Sequence, residues 1–323
     1  MNVAAHGHAS RAFPDAAYEA AFLAVMDSLA CAFKALQDPA CTKLLGSLVP
    51  GATMAFGARV PGTSYQLDPV QAAFNIGTMV SWLQANDPAL RTAAGDLSDN
   101  LGAILAVADY CARKAIAEGA QPPTVRDLFG TLIHAHELAS LEWARSVHEH
   151  VATTGDSHGS ASAAARCALT RIASAATAAS LLGGGRDQVA AAAAIARSET
   201  HATGHPGIVP SRDGHGHWRI GDATSRGVRL ALIALAGQTA PRAPSSPGEE
   251  ATRQPAVVAG LDQTWQALAA TPDATRRIRD QFTGCVATHF PAVQAGKLAA
   301  MFADRARLEA LPVNELVSMT VRN

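Results

Sequence analysis

Three aspartates that could act in catalysis occupy one glycine-containing stretch, QANDPALRTAAGDLSDN, between residues 84 and 100. Asp87, Asp96 and Asp99 lie between a tryptophan-bearing apolar segment and the apolar run LGAILAVADY. A loop carboxylate can act as a general base if the fold brings it to a pocket. Aspartate is equally typical of turns and helix starts, because its side chain accepts hydrogen bonds from nearby backbone N–H groups. The pattern therefore leaves a catalytic rim and an acidic turn as alternatives.

A second irregular segment is rich in histidine. Residues 202–222, ATGHPGIVPSRDGHGHWRIGD, include His215 and His217. Long structureless segments inside a compact domain are often functional, and histidine can take up or release a proton near neutral pH. His201 and His205 have the i, i+4 spacing of a metal pair, but the sequence has no HExxH motif and no cysteine lies near them. We therefore predict no metal site.

Amphipathic helices are the elements that must position these residues. The segments LDPVQAAFNIGTMVSWL and TVRDLFGTLIHAHELASLEWA repeat apolar residues at helical spacing. The first can begin at Asp68 as N-cap, and the second has Thr124 and Asp127 at capping-box spacing. His136 falls on the apolar stripe of the second helix and is expected to be buried and hydrogen-bonded. Further helical patterns are AAYEAAFLAVMDSLACAFKAL, LTRIASAATAASLLGGG, SRGVRLALIALAG and AGKLAAMFADRARLEAL. Convincing strand patterns are absent between residues 15 and 240, so the predicted fold class is all-α.

Composition and charge narrow the classes of partner. Of the 323 residues, 48% are hydrophobic and 16% are charged, so a sizeable core is available. The formal net charge is −1 and no basic stripe with interleaved aromatics is present, so we predict no nucleic-acid partner. The N-terminus lacks an apolar signal-peptide core, no run is long enough to span a membrane, and the five scattered cysteines form no CxxC motif. We expect a cytoplasmic protein with reduced thiols and no membrane association.

One sharp change in composition divides the chain. Residues 237–257, GQTAPRAPSSPGEEATRQPAV, are rich in Pro, Ser and Glu and cannot bury much surface. The predicted organisation is a flexible N-terminus (1–14), a helical domain (15–240), a linker (241–258) and a C-terminal segment (259–323).

Several long segments carry a family resemblance: DPACTKLLGSLVPG, RVPGTSYQLDPVQAAFNIGTMVSWL, SDNLGAILAVADY, AHE, GDATSRGVRLALIA, HFPA and DRARLEALPVNEL. Together they resemble the MmgE/PrpD family of 2-methylcitrate dehydratase-like proteins. The resemblance implies a large all-helical domain, which includes the C-terminal segment, and a smaller α+β domain. The smaller domain looks deleted here, because the linker leads almost directly into the family's C-terminal segment. The resemblance also implies a homodimer and dehydratase, decarboxylase or isomerase chemistry on small polycarboxylates, without a metal or cofactor.

The family's substrate-facing loop aligns with the three aspartates. Asp87 matches the family aspartate, which makes it the candidate general base. Pro88 stands where the family has threonine, and Asp96 stands where it has histidine. Exchanging that histidine for an anion repels a polycarboxylate by about 4 kcal/mol at ~4 Å and an effective dielectric constant of ~20. We therefore expect a substrate other than 2-methylcitrate itself.

Histidine and arginine candidates stand at the other family positions. The family lysine before GDATSR aligns with Gly216, which lies between His215 and His217. A further family histidine aligns with Arg166 without a gap, or with His158 if the chain carries an insertion. The three histidines, together with Asp87 and Asp96, form the predicted catalytic set.

Two functional hypotheses follow from these residues. The first is a divergent, truncated lyase that acts on a small carboxylate, with Arg166 and Arg212 as substrate-binding residues. It predicts an enclosed cavity that contains Asp87, Asp96 and at least one candidate histidine. The alternative is a non-catalytic remnant that serves as a dimeric binding or scaffold protein. It predicts that these residues are dispersed, solvated or paired with one another.

Overall fold

Helices make up most of the chain that the computed structural model describes, namely residues 13–154, 163–202, 217–240, 265 and 271–322. In chain order they are α1 (Asp15–Ala35), α2 (Pro39–Thr42), α3 (Pro69–Ser81), α4 (Leu101–Ala117), α5 (Val125–Thr154), α6 (Ala163–Leu181), α7 (Arg186–Ala202), α8 (Arg219–Leu235), α9 (Pro272–His289), α10 (Ala292–Phe302), α11 (Arg305–Glu309) and α12 (Val313–Thr320). The predicted linker and most of the predicted flexible N-terminus lie outside the described residues.

Strands are confined to two short antiparallel ribbons within the described residues. One pairs β1 (Ala58–Arg59) with β2 (Gln66–Leu67), and the other pairs β3 (Arg91–Thr92) with β4 (Gly95–Asp96). Each sheet has two strands, and each strand has two residues. The all-α prediction is confirmed.

Local capping fixes the starts of two helices where the sequence predicted them. The Asp68 carboxylate accepts hydrogen bonds from the backbone N–H groups of Val70 and Gln71, each at 3.0 Å, and α3 begins at the next residue. Thr124 and Asp127 form a reciprocal pair at the start of α5: Asp127 accepts from the Thr124 N–H at 2.8 Å, and Thr124 Oγ1 accepts from the Asp127 N–H at 3.3 Å. Both caps satisfy helix-terminal donors that have no partner within the helix.

Helix α1 is the central element of the core. Seventeen of its 21 residues are buried, so its alanine-rich face is covered as well as the predicted apolar stripe. By length and composition α1 could cross a membrane, but 89% of its most apolar window is buried inside the fold. Core helices of soluble proteins pass the same composition test, so this feature is weak support for a membrane span.

Glycines allow α3, α4 and α8 to approach each other closely. A Cβ atom on Gly102 would lie 2.7 Å from the Gly77 nitrogen, and one on Gly77 would lie 2.6 Å from Thr224 Oγ1. Thr224 Oγ1 also donates a hydrogen bond to the Ala73 carbonyl at 3.0 Å, which ties α8 to α3. The loop that carries the three aspartates connects α3 to α4, so this close packing holds both ends of that loop.

The C-terminal helices pack back onto the N-terminal ones, as predicted. Helix α9 packs along α1, and Phe302 of α10 stacks on Phe22 of α1 with ring centroids 6.2 Å apart. The Val125 N–H donates to the Leu311 carbonyl at 2.8 Å, so the start of α5 is bonded to the turn before α12. Arg277 of α9 thereby comes within reach of the aspartate loop.

Candidate functional site

Asp87 is held by both a turn and an ion pair. It begins a short 3-10 turn, and its Oδ1 accepts a hydrogen bond from the Ala89 N–H at 2.9 Å. Arg277 of α9 donates from Nε to Oδ2 at 3.0 Å and from Nη2 to Oδ1 at 3.1 Å. The Asp87 side chain is buried, whereas the Arg277 side chain is 57% exposed. The residue therefore has the capping contact of an ordinary turn and a two-point contact with a cation.

Asp27 of α1 supports the same loop from the core. Its Oδ2 accepts hydrogen bonds from Asn86 Nδ2 at 3.0 Å and from the Asp87 N–H at 3.1 Å. Asp27 is only 1% exposed. Burial raises the pKa of its carboxyl to about 6, against the lowering effect of the hydrogen bonds from Asn86 and Asp87, and the charges of Asp87 and Asp96 add to the rise.

Asp96 and Asp99 share one guanidinium. Arg166 of α6 donates from Nη2 to Asp96 Oδ2 at 2.7 Å and to Asp99 Oδ1 at 2.6 Å, and from Nε to Asp99 Oδ2 at 3.1 Å. Arg91 of β3 adds a bond from Nε to Asp96 Oδ1 at 2.7 Å. Burial would lower the pKa of Arg166, but Asp99 and Asp96 outweigh it and raise that pKa above its usual range. Burial also raises the pKa of Asp99, although Arg166 opposes this shift.

His136 lies behind the β3–β4 ribbon and is buried, as expected. Its Nε2 is 3.2 Å from Thr92 Oγ1, and its ring makes an edge contact with Trp265 at 5.4 Å between centroids. Burial lowers the pKa of His136 to about 4, against the raising effect of the Asp96 charge. The imidazole is therefore neutral at pH 7 and does not supply a positive charge to the loop.

His217 lies in a different cluster, at the end of α3. Its ring packs at 5.3 Å on Trp82, whose Nε1 donates to Asp38 Oδ2 at 2.8 Å, and its carbonyl accepts from Ser81 Oγ at 2.9 Å. The His217 Nδ1 atom is buried without a hydrogen-bond partner within the described part of the chain. No hydrogen bond or ion pair there joins His217 to the aspartate loop, so the structure brings Asp96 and Arg166 together but not His217.

Three predicted site residues, His158, Arg212 and His215, lie outside the described residues. The two alternatives for the position of the family histidine, His158 and Arg166, therefore stay predictions. No group of three or more His, Cys, Asp or Glu residues within the described ranges is arranged to hold a metal ion. Cys167 follows Arg166 in sequence, but burial raises the pKa of its thiol, and the Asp99 charge adds to the rise.

Three residues of the site were not singled out from the sequence: Asp27, Arg91 and Arg277. Asp99 was noted as one of the three loop aspartates but was not placed in the predicted catalytic set. A signal for Asp27 was present, because this aspartate interrupts the apolar helix pattern LAVMDSLAC. Arg277 carried none, since it is one of several charged residues on an otherwise ordinary helix. A separate cleft of about 1110 Å³, lined in part by Tyr65, His289 and Lys297, contains none of the predicted site residues.

Comparison with known sequences identifies the family of this chain. A family model for the MmgE/PrpD N-terminal domain matches residues 3–253. The chain belongs to the MmgE/PrpD family. It is 42% identical over 222 residues to a "2-methylcitrate dehydratase" of Salmonella typhimurium, and to another of Cupriavidus necator; each alignment covers 69% of this chain. It is also 36% identical over 240 residues, 74% of the chain, to a "2-methylcitrate dehydratase, mitochondrial" of Yarrowia lipolytica.

The MmgE/PrpD chain matches only part of these relatives. The aligned region spans 44% of the length of each of the three. The family model itself includes the aspartate loop and stops at residue 253, before α9 begins. Arg277 therefore lies outside the matched N-terminal domain, although it contacts the aspartate that the resemblance makes catalytic.

Proposed function

We propose that this MmgE/PrpD chain is a divergent lyase of the dehydratase, decarboxylase or isomerase type, acting on a small carboxylate other than 2-methylcitrate. The observation that supports this most is the environment of Asp87. Its carboxylate is buried, yet it is held at both oxygens by a guanidinium that remains more than half exposed. A base fixed beside an accessible cation suits abstraction of a proton next to a carboxylate.

In the proposed mechanism, Asp87 removes the α-proton of the substrate. One N–H group of the Arg277 guanidinium turns from Asp87 to the substrate carboxylate. This contact stabilises the negative charge that develops as the α-proton leaves. The departing hydroxyl then needs a proton donor, and His158 and His215 are the candidates. Asp27 keeps the Asp87 backbone in place during this step.

The charge balance of the site supports a substrate with few negative charges. Within the described part of the chain, the carboxylates in the cluster outnumber the guanidinium groups by one: Asp27, Asp87, Asp96 and Asp99 against Arg91, Arg166 and Arg277. Each uncompensated repulsion across ~4 Å at an effective dielectric constant of ~20 costs about 4 kcal/mol. A monocarboxylate therefore fits better than a tricarboxylate.

One observation favours the non-catalytic alternative. Asp96 and Arg166, both predicted site residues, are bonded to each other, and Asp99 completes the pairing. A substrate carboxylate would have to displace one of these aspartates from Arg166. The alternative is a dimeric scaffold in which this cluster serves only to join the loop to α6.

A screen of small hydroxy acids and their unsaturated products tests the two functions. Product formation is followed by the ultraviolet absorbance of the conjugated carboxylate. We expect turnover of at least one monocarboxylate, and a loss of about 10²–10⁴ in rate for Asp87→Asn. Asp273→Asn on α9 is the matched control, because Asp273 is exposed and pairs with Arg276. Unchanged turnover in Asp87→Asn removes Asp87 as the base, and no turnover of any carboxylate by the folded protein favours the scaffold.

Activity on 2-methylcitrate itself is expected to be undetectable or very weak. Asp96 and Gly216 stand in place of the family histidine and lysine, and removal of one well-placed electrostatic stabiliser costs about 10²–10³ in rate. Such losses are not multiplied, since residues that act together are not additive. Robust turnover of 2-methylcitrate by the unmodified protein would overturn the substrate proposal.

We further propose a cytoplasmic homodimer that needs no cofactor. Alanine-rich helices gain stability by close pairing, and a homodimer is also what the family resemblance implies. Light scattering at micromolar concentration is expected to give twice the monomer mass. A monomeric particle contradicts the dimer, and activity lost on dialysis against a chelator contradicts cofactor independence.

A further inference from the structure

Asp27 is an unusual residue for the centre of a core helix. It is 1% exposed and lies on α1 among buried apolar residues. A buried carboxylate is costly unless its oxygens are hydrogen-bonded. Asp27 Oδ2 accepts hydrogen bonds from both Asn86 and Asp87, whereas Oδ1 is buried with no hydrogen-bond partner in the described part of the chain. The carboxyl is therefore committed to the aspartate loop.

Asp87 is held from two sides by helices from opposite ends of the chain. Asp27 of α1 binds its backbone N–H, and Arg277 of α9 binds its carboxylate. The two helices pack along each other, and Gln281 of α9 lies 3.8 Å from the sulfur of Cys31 on α1. The position of Asp87 therefore depends on one helix pair, and Asp27 is the part of that pair that acts on the main chain.

We propose that Asp27 is the positioning residue of this site: its charge holds the Asn86–Asp87 backbone so that the Asp87 carboxylate faces Arg277. The proposal rests on the proposed role of Asp87 as the catalytic base. Asp27 itself is buried beneath the loop and acts only through Asp87.

A change in the protonation of Asp27 is expected to alter its hydrogen bonds to the loop, and several titratable or charged groups surround its carboxyl. Asp87 and Asp96 approach it from the loop, Cys31 lies one turn along α1, and Arg277 of α9 acts through Asp87. Burial raises the pKa of Asp27 to about 6. An ionised Oδ2 is a stronger acceptor than a neutral one, so the hydrogen bond to the Asp87 N–H is expected to strengthen as the pH rises through about 6.

The test is an NMR titration of the full chain, followed at the Asp87 amide proton and at the Asn86 side-chain amide. Both signals are expected to shift with a midpoint near pH 6 in the unmodified protein. The shift is expected to be absent in Asp27→Asn and retained in Ser28→Ala. Ser28 is the matched control, because it is fully buried on the same helix and donates to the Ala24 carbonyl. A titration that persists in Asp27→Asn, or that is missing from the unmodified protein, overturns the proposal.

Amide hydrogen exchange provides a second measurement that needs no substrate. Asp27→Ala removes the acceptor, and loss of one such hydrogen bond is expected to speed exchange of the Asp87 amide about tenfold. Asp27→Asn keeps a neutral acceptor oxygen, which is weaker than a carboxylate oxygen, and is expected to lose only part of the protection. If the Asp87 amide exchanges at the same rate in Asp27→Ala and in the unmodified protein, Asp27 does not position the loop. That outcome would leave the proposed role of Asp87 as the base unaffected. Failure of the Asp87→Asn activity test removes the base role without altering either NMR result.

Discussion

Arg277 places Nε and Nη2 on the two carboxylate oxygens of Asp87, although 190 positions separate the two residues in the chain. The contact joins the matched N-terminal domain to the C-terminal segment, because the family model ends at residue 253. A chain that lacks α9 would keep Asp87 and lose the cation beside it. In the proposed mechanism the C-terminal segment is therefore part of the site.

Replacing Arg277 with alanine is expected to reduce activity far more than stability. Its side chain is 57% exposed, so the ion pair contributes only about 1 kcal/mol or less to the free energy of unfolding. Loss of the substrate-facing cation is expected to lower kcat/KM by about 10²-fold or more on the best substrate of the screen. Arg276→Ala is the control, since Arg276 pairs with the exposed Asp273. Urea unfolding and steady-state kinetics make the comparison, and equal kinetic effects of the two variants would contradict it.

Replacing Arg166 with methionine is expected to be strongly destabilising. The substitution leaves the buried carboxylates of Asp96 and Asp99 without the guanidinium they share, a change that typically costs about 3–5 kcal/mol. The loss is expected to shrink at acidic pH, because burial raises the pKa of Asp99 and a protonated carboxyl tolerates the missing cation. Arg226→Met removes a more exposed pair with Glu199 and should cost less than about 1 kcal/mol. Equal losses in urea unfolding at pH 7 would argue against a shared buried cation.

Helix starts could be predicted from the sequence because a cap depends on residues only two or three positions away. Asp68 and Thr124 make the contacts that their spacing indicates. Helix α8 illustrates the limit, since it begins at Arg219, six residues before the predicted SRGVRL pattern. Trp218 at its N-cap makes no side-chain capping bond, so no local signal marks that start.

The partners of Asp87 could not be predicted, because they come from distant helices. Asp27 and Arg277 lie 60 and 190 positions away, and their contacts depend on how α1, α9 and the loop pack. The family resemblance identified Asp87 but described a pocket with cations at other positions. The pairing of Asp96 with Arg166 is likewise a tertiary contact, between residues 70 positions apart.

Asp27 and His136 give the folding stability opposite pH dependences. The Asp27 pKa is raised from 3.8 to about 6, so the folded state holds its proton more tightly than the unfolded state does, and stability is lost as pH rises through this window. The His136 pKa is lowered from 6.5 to about 4, so stability is lost as pH falls from 6.5 towards 4. Between about pH 4 and 6 the two slopes oppose each other and largely cancel.

Substituting Asp27 and His136 one at a time should separate their contributions to the pH dependence of the unfolding free energy. Relative to the unmodified protein, the unfolding free energy of Asp27→Asn is expected to rise with pH between about 4 and 6, by up to about 1.4 kcal/mol per pH unit. His136→Gln should show the opposite trend, because its amide can still bond Thr92 but does not titrate. Ser28→Ala is expected to run parallel to the unmodified protein. Urea unfolding at closely spaced pH values provides the curves, and variant curves that also run parallel to it would rule out titration of these two groups.

Substitution by alanine is expected to have opposite effects on stability at two glycines: Gly77, where α3, α4 and α8 approach closely, and Gly284 of α9, which is uncrowded. A Cβ atom on Gly77 would lie 2.6 Å from Thr224 Oγ1 and 2.9 Å from the Gly221 Cα, so Gly77→Ala is expected to destabilise the fold by about 1–3 kcal/mol. Gly284 lies on an exposed part of α9, where an added Cβ meets nothing within 4 Å. Gly284→Ala is therefore expected to stabilise the protein by about 0.5–1 kcal/mol through its higher helix propensity. Urea unfolding measures both variants, and a Gly77→Ala protein as stable as Gly284→Ala would show that the three helices do not meet at backbone distance.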